Sequence, residues 1–129
     1  MAMLTNSALI VEDNPVNLQL TRFLLEAAGF TVYSAENAPA AIEQARKLSP
    51  SVILMDVELP GMDGLQATRV LKDDDLTASI PVVALTANAM HGDRERCLEA
   101  GCVGYITKPI DTTRFAEHVR GFIGAHAGS

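Results

Sequence analysis

The chain has 129 residues, which is enough for one domain with a buried core and leaves little room for a second. Its 48% hydrophobic and 20% charged residues are typical of a globular protein rather than a disordered or fibrous one. A net charge of -6 argues against nucleic-acid binding by charge attraction, and no apolar run approaches the roughly 20 residues of a membrane-spanning helix. We therefore expect one cytoplasmic domain over residues 1–129, with a core at about 8–123, short flexible tails, and no nucleic-acid or membrane partner.

Five short aliphatic or β-branched runs alternate with five helical patterns, which predicts βαβ units around a parallel sheet. Runs one, three and four are almost continuously apolar, as expected for central strands covered by helices on both faces. The second run is more polar and suits an edge. These features favour a doubly wound, flavodoxin-like (βα)5 fold of strand order 2-1-3-4-5. The predicted strands are Ala8–Val11, Thr31–Ala35, Val52–Asp56, Val82–Thr86 and Gly104–Thr107.

Several helix ends can be read from the sequence. Asn14 followed by Pro15 predicts the start of the first helix, and Gly29 predicts its end. Asn37 opens the second helix, and Asp111 is the predicted cap of the last one, whose tail after residue 123 we expect to fray. The last helix carries one apolar stripe predicted to lie against the sheet, made of Phe115, Val119, Phe122 and Ile123.

Charged residues follow three of the predicted strands. Glu12 and Asp13 come after the first, Asp56 ends the third, and Lys108 and Pro109 come after the fifth. Because the carboxyl ends of parallel strands meet at one edge of the sheet, we expect these side chains to converge at the switch point between strands one and three. Three carboxylates beside one ammonium group indicate a site for Mg²⁺ and a phosphoryl group.

The segments "LIVEDNPVN", "VILMDVELPGMDG", "IPVVALTANA" and "GYITKPI" occur in this order and spacing. With them the chain resembles the receiver domain of two-component response regulators over about residues 8–123. Within that family it is similar both to single-domain regulators of the cell-division type and to receivers of hybrid histidine kinases.

The chemistry of these residues agrees with the resemblance. A carboxylate can attack phosphorus to form an aspartyl phosphate if a cation neutralises the crowded charge, and Asp56 is the predicted phosphoacceptor because a strand holds it rigidly. Asp13 and Asp56 are predicted to coordinate Mg²⁺ (or Mn²⁺) directly, and Glu12 directly or through a water. The resemblance adds the backbone carbonyl of Glu58. Without metal, carboxylates this close should raise one another's pKa.

Three further residues are predicted to bind phosphate or to transmit its arrival. Lys108 should pair with Asp56 when phosphate is absent, and the Thr86 hydroxyl can bond a phosphoryl oxygen. The resemblance implies that Tyr105 then turns inward and changes a surface formed by helix 4, strand 5 and helix 5. It also implies a cis peptide bond before Pro109, and it makes Glu58 and Asn88 candidates for tuning the lifetime of the phosphoryl group.

The resemblance therefore implies a phosphorelay protein rather than a multi-turnover enzyme. It would take a phosphoryl group from a histidine kinase or a histidine phosphotransfer protein, promote only its own phosphorylation and dephosphorylation, and act on a downstream protein through the switched surface. The chain contains no output domain, so it either acts by binding another protein or belongs to a longer one.

Three other classes of protein share part of this pattern. A phosphatase of the haloacid-dehalogenase type places its nucleophile after the first strand and a second Asp two residues later, whereas Glu58 is two residues after Asp56 here. A pseudo-receiver usually lacks one of the four charged residues of the site, and this chain has them all: Glu12, Asp13, Asp56 and Lys108. A flavin-binding protein would need a Ser/Thr/Gly-rich loop after the first strand, where this loop is anionic.

Overall fold

The computed structural model describes residues 6–59, 61–87 and 94–127, without the side chains of 124–127. Five parallel strands form one sheet of order β2-β1-β3-β4-β5. The strands are β1 (Ser7–Val11), β2 (Thr31–Ala35), β3 (Val52–Asp56), β4 (Val82–Thr86) and β5 (Gly104–Thr107). The predicted fold and order are confirmed, and β1 begins one residue earlier than predicted.

Five helices connect and cover these strands. They are α1 (Pro15–Ala27), α2 (Ala38–Leu48), α3 (Gly64–Asp73), α4 (Arg94–Ala100) and α5 (Phe115–Ala127). Every residue of β3 and β4 is buried, as is all of β1 except Ser7, while the edge strand β2 is partly exposed. The core has two layers, one on each face of the sheet. Central strands are continuously apolar because both of their faces are covered.

Side-chain caps explain where the first helices begin. The Asn14 side chain accepts hydrogen bonds from the backbone N–H groups of Val16 and Asn17, and Asn37 accepts one from Ala40. These bonds satisfy donors that have no partner inside the helix. At the other end of α1, Gly29 has a φ of 96°, a conformation that glycine adopts without a steric penalty. The predicted ends of these helices are therefore confirmed.

The last helix differs from the prediction at both ends. The Asp111 side chain accepts hydrogen bonds from the N–H and the hydroxyl of Thr113, and so closes a turn before the helix, which begins only at Phe115. Its backbone continues to Ala127, four residues past the predicted end of the core at 123. Phe115 and Val119 are buried, so the apolar stripe does lie against the sheet. No helix in the described ranges is both long and apolar enough to cross a bilayer.

Candidate functional site

Three carboxylates converge at the carboxyl edge of the sheet. Glu12 follows β1, Asp56 ends the neighbouring strand β3, and their register places Val11 opposite Met55. One oxygen from each of Glu12, Asp13 and Asp56 lies within 4.8 Å of the other two. Glu12 and Asp56 are buried and Asp13 is exposed, so the group opens to solvent on one side. The carboxylates predicted to meet therefore do meet, in an arrangement of oxygen ligands that fits a small divalent cation.

Lys108 supplies the positive charge of the site. Its Nζ lies 3.2 Å from Asp56 Oδ2 and 3.2 Å from Glu12 Oε1, with about a fifth of the side chain exposed. Its backbone N–H donates to the Thr86 carbonyl at 2.8 Å, which ties this residue to the end of β4. The peptide bond between Lys108 and Pro109 is cis.

Backbone contacts fix the orientation of Asp56. Its Oδ1 accepts a hydrogen bond from the Glu58 N–H at 2.9 Å, while Oδ2 faces Lys108. The Glu58 side chain itself is exposed. Gly64, the first residue of α3, lies against the same strand end, because a Cβ atom there would lie 2.2 Å from the Asp56 carbonyl oxygen. Asp56 is thus held on a rigid strand, with both carboxylate oxygens already oriented.

The pKa values of the site reflect the burial and the close approach of its carboxylates. Burial, followed by the neighbouring Asp56, raises the pKa of Glu12 from 4.5 to about 7 against the opposing effect of Lys108. Burial tends to lower the pKa of Lys108, but the two carboxylates outweigh it and leave that pKa raised. Lys108 therefore remains charged at neutral pH, and a cation bound among the carboxylates would favour release of the Glu12 proton to solvent.

The remaining predicted residues lie farther along the sheet edge. Thr86 is buried at the end of β4, one residue beyond the partner of Asp56 in the β3–β4 register. Tyr105 pairs with Ala84 in β5 and is half-buried. Asn88 falls outside the described residues, so its predicted role stays a prediction.

Sequence reasoning missed two features of the site. The first is that Glu12 and Asp56 both contact the ammonium group of Lys108. The buried, apolar residues of β1 that precede Glu12 give no indication of this contact. Asp63 and Gln66 form a reciprocal capping box at the start of α3, with each side chain accepting from the backbone N–H of the other residue. The Asp-x-x-Gln spacing before an apolar helix is the signal that could have revealed the second.

Comparison with known proteins agrees with this geometry. Residues 8–120 match the response regulator receiver domain family. The chain belongs to this family. It is therefore a receiver domain of two-component signalling, a class of phosphoacceptor domains rather than of conventional enzymes.

Curated relatives fit the single-domain branch of the family. The chain is 47% identical over 118 residues to the polar-differentiation response regulator DivK of Brucella anthropi, an alignment that covers 92% of this chain and 96% of that protein. This similarity agrees with the predicted resemblance to regulators of the cell-division type.

Solved structures share the architecture. The receiver domain of sensor histidine kinase PA1611 from Pseudomonas aeruginosa PAO1 superposes with a TM-score of 0.86 at 36% identity, covering 94% of this chain and 99% of that one. That structure has a magnesium ion coordinated in its active site cleft. Chemotaxis response regulator CheY4 of Vibrio cholerae gives a TM-score of 0.87 at 22% identity, covering 92% of this chain and 99% of that one, which supports the fold alone.

Proposed function

We propose that this receiver domain accepts a phosphoryl group on Asp56 from a phosphohistidine of a histidine kinase or a histidine phosphotransfer protein, with Mg²⁺ as the required cation. The observation that carries the proposal is the set of Glu12, Asp13 and Asp56 oxygens within 4.8 Å, with the Lys108 ammonium group 3.2 Å from Asp56. The magnesium ion in the PA1611 receiver supports the choice of metal.

In the proposed transfer, a carboxylate oxygen of Asp56 forms a bond to phosphorus as the bond from phosphorus to the donor's imidazole nitrogen breaks. The Glu58 N–H and the β3 backbone hold the carboxylate in place, so little reorganisation is needed before attack. Lys108 moves from pairing with Asp56 to pairing with a phosphoryl oxygen, which preserves its charge compensation. Mg²⁺ would be held by Glu12, Asp13, Asp56 and the Glu58 carbonyl, and would neutralise charge on the phosphoryl oxygens.

The proposed output begins at Thr86. Its hydroxyl is suited to bond the phosphoryl oxygen that arrives on Asp56, which would draw the end of β4 inward and leave room for Tyr105 to turn. Tyr105 already borders a groove of about 580 Å³ between β5 and α5, lined also by Phe115, His118 and Phe122. A rotation of the Tyr105 ring would reshape this groove, so the surface of α4, β5 and α5 is the proposed docking site of the downstream protein. A cytoplasmic location remains a prediction from the sequence.

The mass of the intact protein tests the proposal. After incubation with acetyl phosphate and Mg²⁺, the wild-type protein should gain the mass of one phosphoryl group, while Asp56→Asn should gain none. Omitting the metal with a chelator should abolish most of the gain. Lack of phosphoryl mass in the wild type, or an equal gain in Asp56→Asn, would overturn the assignment.

A second candidate is a haloacid-dehalogenase type phosphatase, and the geometry argues against it. Asp56 ends β3 rather than β1, and the residue two positions later is Glu58, with an exposed side chain, rather than a second Asp. Sustained turnover of p-nitrophenyl phosphate by the purified protein would favour that alternative.

A further inference from the structure

The end of α4 brings the two cysteines of the chain together. Gly101 has a φ of 110° and donates its N–H to the Leu98 carbonyl at 3.1 Å, and the next N–H, that of Cys102, donates to the Cys97 carbonyl at 3.0 Å. This pair of bonds defines a Schellman motif, in which the side chains of the residues at the two ends of the longer bond are frequently in contact. Here both of those residues are cysteine.

The same motif occurs at the end of α1 with ordinary apolar residues. Gly29 donates to the Glu26 carbonyl at 3.0 Å, and Phe30 donates to the Leu25 carbonyl at 2.9 Å. Leu25 and Phe30 are both buried in one layer of the core, which is the usual apolar contact of this motif. Cysteines at the corresponding positions of α4 therefore perform the packing role of a Leu–Phe pair, but they bring two thiols into contact.

The surroundings of the two sulfur atoms are consistent with that contact. Cys97 is fully buried and Cys102 is 5% exposed, and both belong to the same layer of the core. Burial, together with the adjacent Cys97 thiol, raises the pKa of the Cys102 thiol to about 12. The Thr68 hydroxyl of α3 lies 4.0 Å from the Cys102 sulfur. Neither Cys97 nor Cys102 forms a disulfide in this structure.

We propose that Cys97 and Cys102 are a redox modification site. The two residues form a reversible disulfide with each other by exchange with a low-molecular-weight disulfide such as glutathione disulfide. The hydrogen bond from the Cys102 N–H to the Cys97 carbonyl, at 3.0 Å, holds the two backbones close together, and a disulfide spans Cα separations of about 4.4 to 6.8 Å. The bond would join the last turn of α4 to the residue that leads into β5.

The reaction balances as two thiol–disulfide exchanges. One cysteine thiolate attacks a sulfur of glutathione disulfide, forms a mixed disulfide and releases one glutathione. The second cysteine then attacks the protein sulfur of that mixed disulfide and releases the second glutathione. Two electrons pass from the protein dithiol to glutathione disulfide, and the two thiol protons end on the two glutathione molecules.

Burial sets the rate of this chemistry rather than its end point. A thiol with a pKa of about 12 has little thiolate near neutral pH, so exchange proceeds when the short helix α4 opens and exposes the pair. Closing of the helix then returns both sulfur atoms to contact. Formation of the disulfide does not depend on phosphorylation of Asp56. Any effect of the disulfide on docking at the surface of α4, β5 and α5 rests on the proposed function.

The equilibrium in a glutathione redox buffer tests the site. Native protein is equilibrated with reduced and oxidised glutathione, quenched with N-ethylmaleimide, and assayed for a mass lower by two hydrogens with no added label. The same measurement in denaturing urea gives the equilibrium between the dithiol and disulfide forms of the unfolded chain. We expect the native protein to favour the disulfide by about tenfold or more over the unfolded chain, because the fold holds the sulfur atoms together.

Matched variants show which bond has formed. Cys97→Ser and Cys102→Ser should each show no loss of two hydrogens, and each should form at most a mixed disulfide with glutathione. A native preference equal to or below that of the unfolded chain would overturn the proposal, since it would mean that the thiols serve only as packing groups. Covalent dimers in place of the intramolecular product would overturn it as well.

Discussion

Glu12 is a buried carboxylic acid of the site whose ionisation is disfavoured in the folded protein. It is 2% exposed, it shares Lys108 with Asp56, and its pKa of about 7 is well above the 4.5 of a free glutamate side chain. Burial is the largest cause, because a charged carboxylate loses the stabilisation that water gives it. A cation bound among the three carboxylates would reverse this penalty by favouring the ionised form.

The stability of the metal-free protein should therefore fall as the pH rises from about 4.5 to about 7. The folded state keeps the Glu12 proton up to about pH 7, whereas the unfolded chain releases it near pH 4.5, so unfolding releases a proton throughout this interval. A raised pKa of this size corresponds to a loss on the order of 3 kcal/mol across the interval.

Urea unfolding with a chelator present, at a series of pH values, measures this effect. Glu12→Gln is the control, because it keeps the shape of the side chain and cannot titrate. The difference in unfolding free energy between the two proteins should change with pH in the stated direction. Parallel pH profiles for wild type and variant would contradict the raised pKa of Glu12.

The start of α3 is the element that controls the position of the phosphoacceptor. The Asp63 and Gln66 capping box fixes the first turn of the helix, and Gly64 allows that turn to lie against the Asp56 carbonyl. A close approach of two backbones requires a residue without a Cβ atom. The helix and the phosphoacceptor strand therefore share one contact that a single methyl group would break.

Gly64→Ala should destabilise the protein and slow phosphorylation of Asp56. The added Cβ would lie 2.2 Å from the Asp56 carbonyl oxygen, so either the helix or the strand end must move. Overpacking of this kind costs about 1 to 3 kcal/mol. Urea unfolding and the rate of mass gain with acetyl phosphate measure the two effects.

Gly121→Ala in α5 is the matched control for that substitution. No heavy atom lies within 4 Å of a Cβ built there, and alanine favours a helix over glycine by about 0.5 to 1 kcal/mol. This variant should be at least as stable as the wild type and should be phosphorylated at the same rate. Equal stability of the two alanine variants would show that the contact at Gly64 does not constrain Asp56.

At the scale of the whole molecule, the site joins three elements of the sheet that are far apart in sequence. Lys108 and Glu12 are 96 residues apart, and the hydrogen bond between their side chains connects the ends of β1 and β5 on opposite sides of β3 and β4. Metal bound to the native site has no equivalent in the unfolded chain, because the ligands then separate. Metal binding should therefore be linked to global stability.

Mg²⁺ should raise the melting temperature and the free energy of unfolding of the wild-type protein. Once the metal exceeds its dissociation constant, each further tenfold increase in its concentration should add about 1.4 kcal/mol. Asp13→Asn should lose most of this response, and the exposure of Asp13 means that the substitution itself should cost little stability. Thermal unfolding over a range of Mg²⁺ concentrations measures both proteins.

Glu26→Gln removes the same charge from the exposed side of α1, away from the site, and should keep the full response to Mg²⁺. A melting temperature of the wild type that does not change with millimolar Mg²⁺ would contradict the proposed metal site. An equal loss of response in Glu26→Gln would indicate a general effect of charge rather than coordination.

The strands, their order and the residues that meet at the sheet edge can all be predicted from the amino-acid sequence. Continuous burial of β1, β3 and β4 produces apolar runs that are visible in the sequence, and parallel strands necessarily align their carboxyl ends. The convergence of Glu12, Asp13, Asp56 and Lys108 follows from that order alone.

How the charges of these residues interact depends on the packed structure. Glu12 is buried, contacts Lys108 and has a raised pKa because of the atoms that surround it in the fold. The residues next to Glu12 in the chain do not show which atoms these are. The same is true of Gly64 against Asp56 and of the contact between Cys97 and Cys102. Each depends on distances between backbones or side chains that are set when the elements pack, and such distances leave no period or motif in the sequence until the fold is known.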